Sequence, residues 1–370
     1  MIGVKIMQST VEERFQVSPY LVFFLVHSIQ IGVGILTFQS EIVKWAGNDA
    51  WISILLTGTL IHVLIWMMFH VLNKEGTDVI AINQKIFGKW IGNLLNIAIL
   101  LYFLLIAIVV IRVYFEVIQV WMFPRISLFS LCLFFLPLLY YIVEGGFRIV
   151  TGICFFGVIL PLYLVLTLLF PLEFAHGENL LPIWNHSIKE ILLSSKGMVI
   201  SYIGFSTLFI YYPFIKEPKK SQKWAHYGIA FSTFLYLSTY IVTIVFYSEE
   251  QLISNLWPTL GLWKIMKMPF VERFEYIGIS SWALVILPNI TLALWCFMRG
   301  MKRIFGVKQR IILLIALLII LSIVPFIKGY NQIQQLSELL SYGGYIMMGG
   351  YIPFIFISHY IYSKVKKQNE

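Results

Sequence analysis

Charge is scarce in this sequence: only 12% of its 370 residues are Asp, Glu, Lys or Arg, against about 25% in a soluble domain. Such a chain cannot cover a globule of this size with solvated side chains. Cysteine is also rare. Cys132, Cys154 and Cys296 all sit inside apolar runs at wide spacing, which excludes a disulfide framework or a CxxC metal or redox motif. Enzyme signatures are missing as well: GxSxG, HExxH, the phosphate-binding loop and carboxylates paired at matched membrane depth are all absent. No basic stripe with interleaved aromatics marks a nucleic-acid surface, despite a net charge of +9. The first apolar run starts near Val17 and is too long for a signal-peptide core, so no cleavable leader is expected.

What remains is apolar. Hydrophobic residues make up 59% of the chain, the mean hydropathy is +0.84, and the runs are about 20 residues long, the length of a membrane-crossing helix. The expectation is an all-α polytopic membrane protein, one transmembrane domain over 1–370. Its ten spans fall near 17–44, 50–72, 91–121, 126–143, 146–170, 194–215, 225–247, 271–298, 309–327 and 335–362. With both termini inside, 18 lysines and arginines, Lys5 and Lys366 among them, fall on inner segments. Eight, Lys264 and Lys267 among them, fall on outer ones. That asymmetry favours both termini on the cytoplasmic side.

Three connections have structure of their own. "TDVIAINQKIF" at 77–87 opens with capping residues, places Val79, Ile82 and Ile86 on one face and closes at Gly88. It predicts a short helix on the inner membrane surface. Residues 171–193 form an outer loop. Residues 249–270 form another, whose apolar and aromatic content predicts that it folds back onto the protein.

Two spans are weakened in the middle. Gly32 and Gly34 interrupt span one, and "SYIGFS" at Ser201–Ser206 interrupts span six. Glycine weakens a helix by about 1 kcal/mol per residue. Ten spans divide into two sets of five with opposite orientation, about 17–170 and 194–362. Interruptions at matching positions of inverted halves point to a transporter-type binding site. Freed N–H groups attract a carboxylate and freed carbonyls can hold an ammonium group, which suits a zwitterion.

Here the sequence resembles a known group. "GVGIL" at Gly32–Leu36 is similar to the Gly-x-Gly-Ile break of the amino acid–polyamine–organocation superfamily. More closely, the chain resembles the B subunits of spore germinant receptors, the endospore germination permeases. The likeness runs through Ser18-Pro19-Tyr20, "AGNDAWIS" at Ala46–Ser53, "FGKWIG" at Phe87–Gly92, "NLLPIW" at Asn179–Trp184, "LWPTL" at Leu256–Leu260 and "VERFE" at Val271–Glu275. In relatives a proline often follows the break; Thr37-Phe38-Gln39 stands there in this chain. The resemblance implies a LeuT-type 5+5 bundle in the spore inner membrane. It implies recognition of an amino acid or similar nutrient, and association with an A subunit and a lipoprotein C subunit. No cofactor and no metal are expected.

The expected ligand site gathers Gln30, Gly32, Val33 and Gly34 of span one with Tyr202, Gly204 and Phe205 of span six. Tyr102 of span three and Ser281 of span eight border it. Arg112 and Glu116, four apart in span three, form an ion pair or outer gate. His27 reads as a bundle histidine with a polar partner. His62 and His70 are eight apart and do not make a helical metal pair. The competing reading is a proton- or sodium-coupled amino acid transporter, because one fold serves both.

Overall fold

The computed structural model describes residues 11–266 and 271–368. Lys5 and Lys267, counted in the charge asymmetry, and the last residues of the 249–270 connection lie outside the described residues. Among the described residues the chain is helical, with a single isolated bridge between Val17 and Ile215. Seven helices are long and apolar enough to cross a membrane, from Phe38–Glu75 to Gly329–Lys366. A bent pair, Ile188–Tyr202 and Phe205–Phe214, meets at 50° and makes an eighth. Two shorter apolar helices, Leu21–Gln30 and Leu128–Glu144, fall on spans one and four. Span one is short because its helix stops at Gln30 and restarts at Phe38. The outer surface carries the side chains that lipid would cover, Trp90, Phe134 and Tyr141 among the most exposed.

The helix Val79–Trp121 is really two. Gly88 adopts φ +78° and turns the chain between the 79–87 segment and span three, a conformation that L side chains rarely take. Asp78 caps the first segment by accepting from the Ala81 N–H at 3.2 Å and also pairs with Arg303. Burial nevertheless pushes the Asp78 carboxyl above its ordinary value. The predicted surface helix packs against the end of the bundle. Val79, Ile80 and Ile82 are buried, and Asn83 bonds Asn96 and Tyr351 at 2.7 and 2.8 Å. At the same end, Val17 exchanges backbone bonds with Phe214 and Lys216 at 2.8 and 2.9 Å, tying the chain before span one to the end of span six.

At the opposite end, sequence pieces far apart in the chain lock together. The Asp49 carboxylate is buried and accepts from the N–H groups of Trp184, Asn185 and His186 at 2.7, 2.8 and 3.1 Å. Asn48 donates to the Pro182 carbonyl at 2.6 Å, and Asn179 donates to the carbonyls of Ile244 and Tyr247. "AGNDAWIS" and "NLLPIW" are thus two halves of one clasp over spans two and seven. The short helix Pro258–Lys264 lies back on the break of span one. Its Thr259 hydroxyl donates to the Ile35 carbonyl at 2.8 Å and accepts from Gln39 at 2.7 Å.

The clasp yields a test. Asp49→Ala strands three N–H groups, which should lower stability by about 3 kcal/mol. A lower thermal midpoint of the purified chain and faster proteolysis within 176–187 are the expected readings.

Candidate functional site

A broken helix frees carbonyls at the end of its first half and N–H groups at the start of its second. In span one the carbonyls of Ser28, Gln30 and Ile31 are met by side chains from other spans. Asn289 of span eight donates to Ser28 and Ile31 at 2.7 and 3.0 Å. The Tyr236 hydroxyl of span seven stands 2.8 Å from the Gln30 carbonyl and 2.9 Å from the Ser201 carbonyl. Its single proton is shared between the two breaks. The N–H groups are different. Those of Gly32, Val33 and Gly34 open the short turn Val33–Leu36, and none finds an acceptor outside it among the described residues. Each of those three carbonyls, which the sequence offers to an ammonium group, already has a protein donor.

In span six the helix Ile188–Met198 gives way to the tight turn Val199–Tyr202, and Gly204 adopts φ +99° before the chain winds again at Phe205–Thr207. Between the two breaks lies a cavity of ≈ 370 Å³. Gln30, Gly32, Val33, Gly34 and Thr37 line it from span one, Val110, Val113 and Glu116 from span three, Ser201 from span six and Asn289 from span eight. Both amide atoms of Gln30 and the Ser201 hydroxyl are buried without a partner among the described residues. Unmet buried polar groups cost about 1–3 kcal/mol each, so a cluster of them on one wall suits a polar ligand. The wall opposite comes from span ten, through Gln334, Ser337, Ser341 and Tyr345. Charged residues Glu41, Lys196 and Glu338 border the cavity too.

Of the expected site residues, Gln30, Gly32, Val33, Gly34 and Glu116 line this cavity. Others do not. The Tyr202 hydroxyl bonds Thr233 of span seven at 2.8 Å. Phe205 is buried in the core. The Tyr102 ring packs at Gly343 of span ten. Ser281 faces the other side of span eight, its hydroxyl 2.6 Å from that of Tyr163. Gly204 is a packing position: a Cβ there would stand 2.6 Å from Ile29. Arg112 is buried, donates to the Ile327 carbonyl at 2.8 Å and pairs with Glu116 at 2.9 Å, so it holds one wall carboxylate in place. His27 lies 2.9 Å from the Ser232 hydroxyl between Phe23 and Phe231. His62 stands 2.8 Å from His226 of span seven.

Sequence reasoning missed Tyr236 and the polar face of span ten. A signal for the second existed. Gln334, Ser337, Ser341 and Tyr345 recur at helical spacing in a span whose hydropathy, 1.3, is the lowest of the seven. Tyr236 had none, since a tyrosine in an apolar run is ordinary.

The glycines separate by what surrounds them. A Cβ at Gly32 would stand 2.6 Å from Asn289 Oδ1, whereas one at Gly34 would meet Ser201 at 3.4 Å. Gly32→Ala and Gly204→Ala should each cost about 2 kcal/mol through overpacking or strain, read as a lower thermal midpoint. Gly34→Ala should leave the stability within about 0.5 kcal/mol of the native chain.

Comparison with known proteins bears on the family and the fold. The chain is 45% identical over 344 residues to spore germination protein GerQB of Bacillus cereus, covering 93% of this chain and 96% of that one. It is 24% identical to spore germination protein B2 of Bacillus subtilis (strain 168), covering 89% and 91%. Among solved structures, the substrate-bound outward-open state of a Na+-coupled sialic acid symporter superposes with a TM-score of 0.70 at 13% identity, over 95% of this chain and 82% of that one. MhsT in complex with L-phenylalanine gives 0.63 at 12% identity, over 93% and 88%. These two establish the LeuT-type fold. The spore germination protein family pattern matches residues 16–333, and this multi-pass membrane chain belongs to that family.

Proposed function

We propose that the chain is the nutrient-sensing subunit of a spore germinant receptor and that a small zwitterion such as an amino acid binds between the two breaks. One observation carries this reading: the free N–H groups of Gly32–Gly34 and the unpaired Gln30 amide and Ser201 hydroxyl share one cavity wall. N–H groups at the start of a helical turn suit a carboxylate. Gln30 Oε1 and the Glu116 carboxylate are acceptors for an ammonium group. A cavity of ≈ 370 Å³ fits a small ligand. MhsT, which holds L-phenylalanine, supports the ligand class by analogy of fold alone.

In this reading 17–170 and 194–362 are inverted repeats whose breaks face each other, with Gly34 beside Ser201 and Gly204 against Ile29. Ligand favours a closed arrangement, and the shift passes to an A subunit and a lipoprotein C subunit in the spore inner membrane. Both termini face the spore core. The chain carries out no chemical step itself and uses no cofactor. The transporter reading draws on the same fold, and nutrient uptake into proteoliposomes above background would favour it.

Two tests follow. Gly34→Leu should raise the nutrient concentration for half-maximal germination at least about tenfold, equivalent to ~1.4 kcal/mol of binding, with subunit abundance unchanged. A normal curve at reduced abundance would make the break a packing feature. Single cysteines at 219 and 366 should label from the opposite side to those at 176 and 264; labelling of 176 and 219 from one side would overturn the topology.

A further inference from the structure

The Asn289 amide occupies an unusual place. Its nitrogen is buried and stands 2.7 Å from the Ser28 carbonyl, 3.0 Å from Ile31 and 3.1 Å from Val285. Three carbonyl oxygens, two from a broken span and one from its neighbour, converge on one point. Unwound carbonyls arranged in this way coordinate Na+ in coupled transporters of broken-helix design. Here two amide protons, carrying partial positive charge, fill that point. Gly32 leaves the room for it, since any Cβ there would stand 2.6 Å from Asn289 Oδ1. The small cavity behind the break is lined by His27, Ser28, Thr239, Trp282 and Val285 with other mainly apolar residues; the carboxylates Glu41, Glu116 and Glu338 lie on the larger cavity that Asn289 itself lines.

We propose that the Asn289 side-chain amide is a built-in substitute for a cation at the first break, so that ligand recognition at this site is independent of Na+. This deepens the binding-site reading above and separates the chain from a symporter that shares its fold. An amide bonded covalently to span eight holds the break at all times. A dissociable ion would hold it only when bound, and would couple ligand affinity to the ion's concentration. Replacing the amide nitrogen by oxygen reverses the logic. Asn289→Asp keeps the shape but sets a carboxylate against three carbonyl oxygens, and a cation then becomes the natural partner.

The test uses the full chain purified in detergent, with thermal midpoints measured in NaCl, KCl and N-methylglucamine chloride at equal ionic strength and neutral pH. The native chain should give the same midpoint in all three. Asn289→Asp should fall below it in N-methylglucamine and recover in NaCl. A Na+-specific rise in the native midpoint would overturn the proposal, and so would an Asp variant indifferent to the cation. Where the variant does not fold, the native comparison alone decides. In parallel, spores bearing the native chain should give one nutrient dose–response curve in Na+ and in Na+-free medium. A tenfold shift between the two would overturn the proposal. A complete lack of nutrient response in both media would sink the receptor reading instead, leaving the midpoint comparison to judge Asn289.

Discussion

Water is absent from the hydrocarbon core, so backbone groups released by a broken span must be met by the protein itself. Two broken spans lie side by side here, and polar side chains from three other elements serve them. Tyr236 sets one hydroxyl between the Gln30 and Ser201 carbonyls. Asn289 gathers Ser28 and Ile31, and Thr259 takes Ile35. These donors come from span seven, span eight and a connection that folds back into the bundle. Spans one and six can stay unwound only because the other elements are placed to receive their carbonyls.

The same accounting leaves a remainder. Carbonyls are met, while the N–H groups of Gly32–Gly34, the Gln30 amide and the Ser201 hydroxyl are not. These particular groups share one wall of one cavity, while other unpartnered polar atoms, the Tyr102 and Tyr211 hydroxyls among them, lie elsewhere in the bundle.

How much of this could be read beforehand differs from residue to residue. The glycines of span one and "SYIGFS" are visible as interruptions because helix propensity is local. Arg112 and Glu116 are visible because residues four apart share a face. The placement of Tyr202, Phe205, Tyr102 and Ser281 was not legible. Each lies on an expected span, but position along a span says nothing about direction, and rotation of a helix about its axis is set by its neighbours. Asp49 and Trp184 fall in two separate motifs of the sequence; only the folded chain brings the Asp49 carboxylate within 3 Å of the Trp184 and Asn185 N–H groups.

Composition and run length by themselves determined that this is a helical membrane protein, because the bilayer imposes a length and a polarity that each span must meet alone. The interruptions likewise declared which spans are broken. Which freed groups remain available was decided by tertiary structure, because a carbonyl is satisfied or not according to what a distant span brings to it. Asn289 and Ser281 make the contrast plain: eight residues apart on one helix, one reaches the break and the other bonds Tyr163 on the far side. Nothing in their local sequence distinguishes the two directions; the packing of span eight against spans one and three does.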